Sequence, residues 1–318
     1  MVPRKPTTDQ KRLPKKTRAK KPPAFQMTER DIELVRAVSK YRYLYVEQYF
    51  WLFPNDSQRG LLNRLRYLYH NRYLNRVLQV DALSRKIIYA MTEKGARLLA
   101  EHDNVPREDI PWQRHLNQVS MSHIQHLLAV NDVVISLESA LADMQEKHKI
   151  EQYKVIPGDA DLHKITVTFL NRDGARYKSS VIPDAVVGIV FPSGEFGLFF
   201  VEVDRATMTI NRWESKVAVY HDYSRSPELR DRFKTSWFIV LTVTTSDKRI
   251  LSLAERTVAL GGKRAFWYTT GDKIEPESIL NRIWLRAGDL YLLKNERTEP
   301  LTDIRTASRT SILDTIGG

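Results

Sequence analysis

Ser180-Val-Ile-Pro-Asp184-Ala-Val-Val-Gly-Ile-Val-Phe191 and Phe196-Gly-Leu-Phe-Phe-Val-Glu202-Val-Asp204 set three carboxylates into two otherwise apolar runs. Period-two alternation sends Phe200, Glu202 and Asp204 to one face of a strand and Phe199, Val201 and Val203 to the other. Pro192, Ser193 and Gly194 between the runs carry turn chemistry, so an antiparallel hairpin is expected that brings Asp184 towards Glu202. Carboxylates in apolar surroundings are costly unless paired or bound to metal. With no cysteine in the chain, an all-oxygen site for a hard cation is the expectation: Asp184, Glu202 and Asp204 around Mg²⁺ or Mn²⁺. The alternative is a one-sided sheet on which Glu202 and Asp204 face water.

Downstream, Trp213, Val217 and Tyr220 recur at i, i+4 and i+7, which predicts an amphipathic helix with Lys216 at the edge of its apolar stripe. The order Pro-Asp, hairpin, Glu-x-Asp, helix with lysine resembles the PD-(D/E)XK nuclease core. Where that core carries its lysine this chain has Asp204, and Lys216 is the nearest substitute. The resemblance implies Asp184, Glu202 and Lys216 as catalytic residues, with Lys216 at the scissile phosphate.

Charge is unevenly spread. The chain has 318 residues and a formal charge of +12. Residues 1–23 hold nine Lys or Arg against Asp9 alone, and residues 24–100 hold thirteen basic and seven acidic side chains. The remainder is slightly acidic, so the electrostatic footprint for nucleic acid is N-terminal. Residues 1–26, rich in lysine and proline, are expected to form a disordered basic arm. Absence of cysteine excludes disulfides, thiol nucleophiles and thiolate zinc sites. With no apolar run of bilayer length and no apolar leader, a cytoplasmic protein without membrane insertion is expected.

From Met27 the pattern turns helical. Thr28-Glu-Arg-Asp31 reads as a cap before one helix, Tyr41 to Phe53 as a second, and Ser57 to His70 as a third. The third would bury Leu61, Leu62, Leu65 and Leu68 and expose Arg59, Asn63, Arg64 and Arg66, side chains suited to base edges and phosphates. Leu74–Val80 and Lys86–Met91 read as a two-stranded wing, with Lys86 at its turn, followed by a capped helix from Thr92. Residues 27–101 thus resemble a winged helix-turn-helix domain that binds double-stranded DNA.

Residues 102–117 read as a linker, and a long helix follows from about Val119 to Lys147. His123 and His126 stand one turn apart on it, a spacing seen in metal sites and more often in packing; Glu138 is a further candidate of the same kind. Strands are expected at 150–156, 164–170, 237–243 and 265–269, with a short edge strand at 289–293, in a PD-(D/E)XK-like domain over 118–295. Residues 296–318 are expected to be a flexible tail. The fold class expected is α/β (α+β): a winged helix followed by a restriction-endonuclease-like mixed sheet.

Taken together, Thr92-Glu-Lys-Gly-Ala-Arg-Leu-Leu, His126-Leu-Leu-Ala-Val-Asn-Asp-Val, Ile182-Pro-Asp-Ala and Val201-Glu-Val-Asp-Arg resemble the replication-relaxation family of plasmids and conjugative elements, including MobC-like mobilisation proteins. That resemblance implies action on plasmid DNA at a replication or transfer origin with relaxosome or replication proteins as partners. Two readings stay open. In one the second domain nicks DNA through a metal site; in the other it is a degenerate nuclease fold that recruits a partner while the first domain grips DNA.

Overall fold

The computed structural model describes residues 17–78, 86–113, 119–158, 163–170, 173–294, 297–300 and 304–315. The fold is α+β, with helices preceding a mixed sheet, and the chain divides into two compact units, Met1–Ile124 and Gln125–Gly318.

In the first unit the order is α1 (Glu29–Tyr41), β1 (Tyr43–Tyr45), α2 (Val46–Leu52), α3 (Gln58–His70), β2 (Leu74–Leu78), β3 (Ile87–Met91) and α4 (Glu93–Asp103). The strands form an antiparallel sheet in the order β1-β3-β2. α1 buries Ile32, Leu34, Val35 and Val38 at helical spacing, α3 buries Leu61, Leu65 and Leu68, and Ile88, Ala90 and Leu99 close the core. Helix starts follow the expected caps: Asp31 accepts the Thr28 N–H at 2.8 Å, Ser57 accepts from Gly60 and Thr92 from Gly95.

Three expectations change here. Tyr41–Phe53 is not one helix: Arg42 takes a positive φ of 66°, and Tyr-Leu-Tyr continues as β1, paired with Ile88–Ala90. Aromatic residues favour the pleated surface, and the open edge of β3 supplies the ladder. Leu62 is exposed rather than buried. Residues 18–26 of the expected arm are laid against α3 and β2. Arg18 donates to the Leu74 carbonyl at 3.1 Å and stacks on Tyr69, and Phe25 packs beside Tyr67 and Tyr73. Residues 1–16 of the expected arm and 79–85 of the expected wing turn lie outside the described residues. So do 114–118 of the expected linker, whose earlier part is anchored by Arg107 on Glu93 and by the Trp112 indole donating to the Met91 carbonyl.

The second unit takes in α5 (Met121–Glu146) from Gln125 onward. It continues with β4 (Gln152–Pro157), β5 (Ile165–Leu170), β6 (Arg176–Val181), β7 (Ala185–Val190) and β8 (Phe196–Val203). α6 (Ile210–Tyr223), α7 (Pro227–Phe233), β9 (Ile239–Thr244), α8 (Asp247–Ala259), β10 (Phe266–Thr270) and β11 (Leu285–Arg286) follow. The six-stranded sheet runs β11-β10-β9-β8-β7-β4. β7 is antiparallel to both neighbours, while β8, β9 and β10 are mutually parallel. The helical crossovers that parallel strands require are α6–α7 and α8, and both helices α6 and α8 pack on the same face. Phe200, Leu198 and Val186 meet Trp213, Val217, Tyr220, Leu253 and Tyr268 in that layer. The other face of β7 and β8, with Val187, Phe199 and Val201, is buried too. β8 is therefore covered on both sides, and Glu202 and Asp204 do not face water as a one-sided sheet would require.

The first apolar run is two strands. β6 pairs with β5 in a separate hairpin, and β7 begins after Pro183-Asp184. Proline cannot donate to a ladder, so the chain changes sheets there. The hairpin itself forms as expected, with Ala185 opposite Val201 and Val190 opposite Phe196.

At the C-terminal end, Asp289 falls in a 3-10 turn (Ala287–Leu290), and β12 (Tyr291–Lys294) pairs with β13 (Arg297–Pro300) rather than edging the main sheet. Residues 304–315 are folded rather than a flexible tail. Thr310 exchanges backbone hydrogen bonds with fully buried Trp284, and Ile304 and Ile312 are buried. Residues 296, 301–303 and 316–318 of the expected tail lie outside the described residues.

Candidate functional site

Asp184 sits at the start of β7, where its N–H donates to the Val201 carbonyl and its Oδ2 accepts the Val203 N–H at 2.7 Å. Glu202 is the penultimate residue of β8 on the α6 face, opposite Thr242 of β9. α6, capped by Thr209, presents Lys216 and Tyr220 one turn apart above it. Lys216 Nζ pairs with Glu202 Oε2, and the Tyr220 hydroxyl donates to Oε1 at 2.6 Å. His126 of α5 brings its Nε2 within 3.0 Å of Asp184 Oδ1. Asp184 makes no direct contact with Glu202 or Lys216 among these bonds, but stands near enough to act on both electrostatically.

Asp204 goes elsewhere. Its side chain is 1 % exposed and held by Arg249, whose Nε and Nη2 reach Oδ2 and Oδ1 at 2.7 and 3.2 Å, while Thr244 donates to Oδ2 at 3.0 Å. Arg249 also donates to the Met208 carbonyl at 2.7 Å, which fastens the β8–α6 loop to α8.

The electrostatics follow from this geometry. Burial pushes the Glu202 carboxyl up, against the pull of Lys216 and with help from Asp184. Burial also works against the Lys216 ammonium, but Glu202 and Asp184 outweigh it and hold the group charged above its ordinary range. The Tyr220 hydroxyl, fully buried beside a carboxylate, is pushed well up and stays protonated as a donor. The hydrogen bond to Asp184 raises His126 above its ordinary 6.5, against desolvation. A raised folded-state value means that this pair stabilises fully below about pH 6.5 and that its contribution fades as pH climbs through the folded value. An NMR titration should find the His126 imidazole titrating above 6.5 and moving down in Asp184→Asn; an unmoved midpoint would rule out the pair as the cause.

In the first unit, α3 turns Arg59, Leu62, Asn63 and Arg66 outward at i, i+3, i+4 and i+7. Arg59 is exposed, Asn63 and Arg66 are half-buried, and Leu62 is 40 % exposed between them. Arg64 does not join this stripe. Its guanidinium pairs with fully buried Asp31, donates to the Gln26 carbonyl at 2.9 Å and lies 4.7 Å from the Phe25 ring centroid. It is committed to the core as the partner of a buried acid. Lys86 is exposed and rests 3.9 Å from the Tyr45 ring centroid.

Comparison with known proteins matches a replication-relaxation family model to residues 35–234, more than half of the chain. The chain belongs to the replication-relaxation family. The matched replication-relaxation segment runs from α1 through α7. It includes the α3 stripe, Asp184, Glu202, Asp204, Lys216 and Tyr220, while Arg249 lies beyond it. No curated protein matches the chain.

A cation fits this replication-relaxation chain poorly as arranged. Mg²⁺ and Mn²⁺ ask for free oxygen ligands in near-octahedral array. Both oxygens of Asp204 are taken by Arg249 and Thr244, both of Glu202 by Lys216 and Tyr220, and both of Asp184 by His126 and the Val203 N–H. Among the described residues no group of three or more His, Asp or Glu side chains is placed to hold a metal ion. Each buried carboxylate carries its own cation instead.

Sequence reading placed Tyr220 in the apolar stripe of its helix without a role in the site, and missed Arg249. Tyr220 had a signal, since it is one turn from Lys216 on the same helix face. Arg249 had one too: a basic residue in the first turn of a helix opposes the macrodipole and calls for a nearby acid.

Proposed function

We propose that this chain is a DNA-binding accessory factor in the replication or mobilisation of a plasmid or conjugative element. The first unit grips double-stranded DNA, and the second serves as a nuclease-like platform for relaxosome or replication proteins. The observation that carries this reading is the exposed α3 stripe of Arg59, Leu62, Asn63 and Arg66 within the family-matched segment. Helix, strand, two helices and a two-stranded ribbon, in that order, support a winged helix-turn-helix whose α3 enters the major groove. Arginine and asparagine there suit guanine and adenine edges, and an exposed leucine suits a thymine methyl. Lys86, beside the wing turn, is a phosphate contact in this reading. The absence among the described residues of any helix long and apolar enough to cross a membrane is compatible with it.

Arg59→Ala or Arg66→Ala should each weaken binding to a cognate duplex by about 1–3 kcal/mol if the side chain reads a base. Fluorescence anisotropy on cognate and scrambled duplexes checks this. Equal losses on both mark a phosphate contact, and no loss on either removes α3 from the DNA interface.

A second reading, cleavage, is supported by the Glu202–Lys216 pair and by Asp184 standing near enough to act on both electrostatically. The order α5, β4, β7, β8, α6, β9 and the placing of the acids on adjacent strands also favour a PD-(D/E)XK-like ancestry. A divalent cation, if Asp184 and Glu202 released their present partners, would supply Lewis-acid activation of a phosphodiester. Lys216 would then be free to hold phosphate charge. Accessory function predicts that supercoiled origin plasmid stays supercoiled with Mg²⁺ or Mn²⁺ present. Nicking by the wild type that disappears in Glu202→Gln would transfer the chain to the enzyme reading.

A further inference from the structure

The second unit carries a cleft at the end of the sheet remote from the carboxylates. It opens at the starts of β9 and β10 and is lined by Trp237, Lys263, Arg264, Trp267, Arg286 and Asp289, with a volume of about 650 Å³. β9 separates it from Thr244 and Asp204, a span of roughly 20 Å at about 3.3 Å per residue. It is a different place from the site above.

The turn that bears its cations is rigid. Gly261 closes α8 with a φ of 87°, and Gly262 donates to the Thr257 carbonyl. The Lys263 carbonyl accepts the Gly288 N–H at 2.8 Å, and a Cβ on Gly288 would stand only 3.0 Å from that oxygen, so the two backbones are pressed together. The Arg264 carbonyl accepts the Trp267 indole N–H at 3.0 Å. Both backbones are fixed while both side chains are exposed, and neither has an acidic partner among the described residues. Arg286 lies 5.5 Å from the Trp267 ring centroid and donates to Thr310. Of the two carboxylates lining the cleft, Asp314 already accepts the Ser311 N–H at 3.1 Å and lies 3.5 Å from Arg282. Three cations therefore face one further acid, Asp289. Beside them Trp237 leaves 37 % of its surface exposed, a large aromatic with no reason in core packing to be there.

An aromatic face next to fixed cations is the combination that binds an unpaired nucleotide: the ring stacks the base and the cations take the adjoining phosphates. A duplex cannot use it, because paired bases hide their faces in the stack. We propose that this cleft binds single-stranded DNA, with one base on Trp237 and its flanking phosphates on Lys263 and Arg264. The choice of DNA rests on the reading above, while the form of the ligand comes from the cleft.

The experiment uses the full chain and a labelled oligothymidylate, read by anisotropy, with a duplex of equal length measured separately. Trp237→Ala and the double substitution Lys263→Ala, Arg264→Ala should each weaken oligothymidylate binding about tenfold. Trp237→Phe, which keeps a stacking ring, should retain it, and duplex affinity should not change in any of them. Unchanged oligothymidylate affinity overturns the proposal, as does displacement of the oligomer by thymidine monophosphate at equal nucleotide concentration, which would mark a mononucleotide pocket. Wild type that binds oligothymidylate but no duplex would sink the duplex grip of the first unit and leave this site standing; binding of duplex alone would do the reverse.

Discussion

Arg249→Met is expected to destabilise the second unit by about 3–5 kcal/mol, because it strands Asp204 as a buried charge whose remaining side-chain donor is Thr244. Arg249 and Asp204 are 15 % and 1 % exposed, so solvent screens the pair little. The companion substitution Asp204→Asn should restore most of the loss, since a neutral amide there needs no cation. Denaturant unfolding of the two single variants and the double variant checks both statements. If Arg249→Met is as stable as wild type, Asp204 is not held by this pair and its candidacy as a metal ligand revives.

The second large effect falls in the first unit. Arg64→Ala should cost about 3 kcal/mol, the low end for breaking a buried pair, because Asp31 keeps its hydrogen bonds from Thr28. The loss should appear as earlier melting of the first unit, while the salt slope of DNA binding measured well below that transition stays unchanged. Arg66→Ala should do the opposite, leaving stability intact and changing binding. A reduced salt slope in Arg64→Ala with normal stability would place that arginine on phosphate and overturn its structural role.

Much of the fold was legible because it rests on local signals. The β7–β8 hairpin followed from two apolar runs and a Pro-Ser-Gly turn, α6 from its 3.6-residue period, and α1, α3 and α4 from their caps. What failed depended on partners distant in the chain. Tyr43–Tyr45 became a strand because β3 offered an edge, and residues 18–26 are anchored because Phe25 and Arg18 found aromatic rings on α3. The tail folded because Trp284 needed a lid. In the candidate site the alternation rule put Glu202 and Asp204 on one face, yet sharing a face did not make them share a ligand. Lys216 and Tyr220 from α6 claim one, Arg249 from α8 the other, and no sequence spacing relates those helices. Arg64 shows the same limit: it is expected outward with Arg59, Asn63 and Arg66, and only Asp31, 33 residues away along the chain, explains why it turns inward.

The change from antiparallel to parallel pairing at β8 also orders events in time. β7 and β8 can meet through a short turn, so Asp184 and Glu202 come together early. Arg249, 45 residues beyond Asp204, arrives only after a crossover has been wound and β9 has docked, and closing such a long loop is slow. During that interval Asp204 at the end of the young hairpin stays hydrated, and its charge guards an otherwise sticky pair of strands against premature association. The pair that finally neutralises Asp204 forms late, so removing Arg249 should speed unfolding and leave the refolding rate nearly untouched, which stopped-flow kinetics on Arg249→Met would reveal.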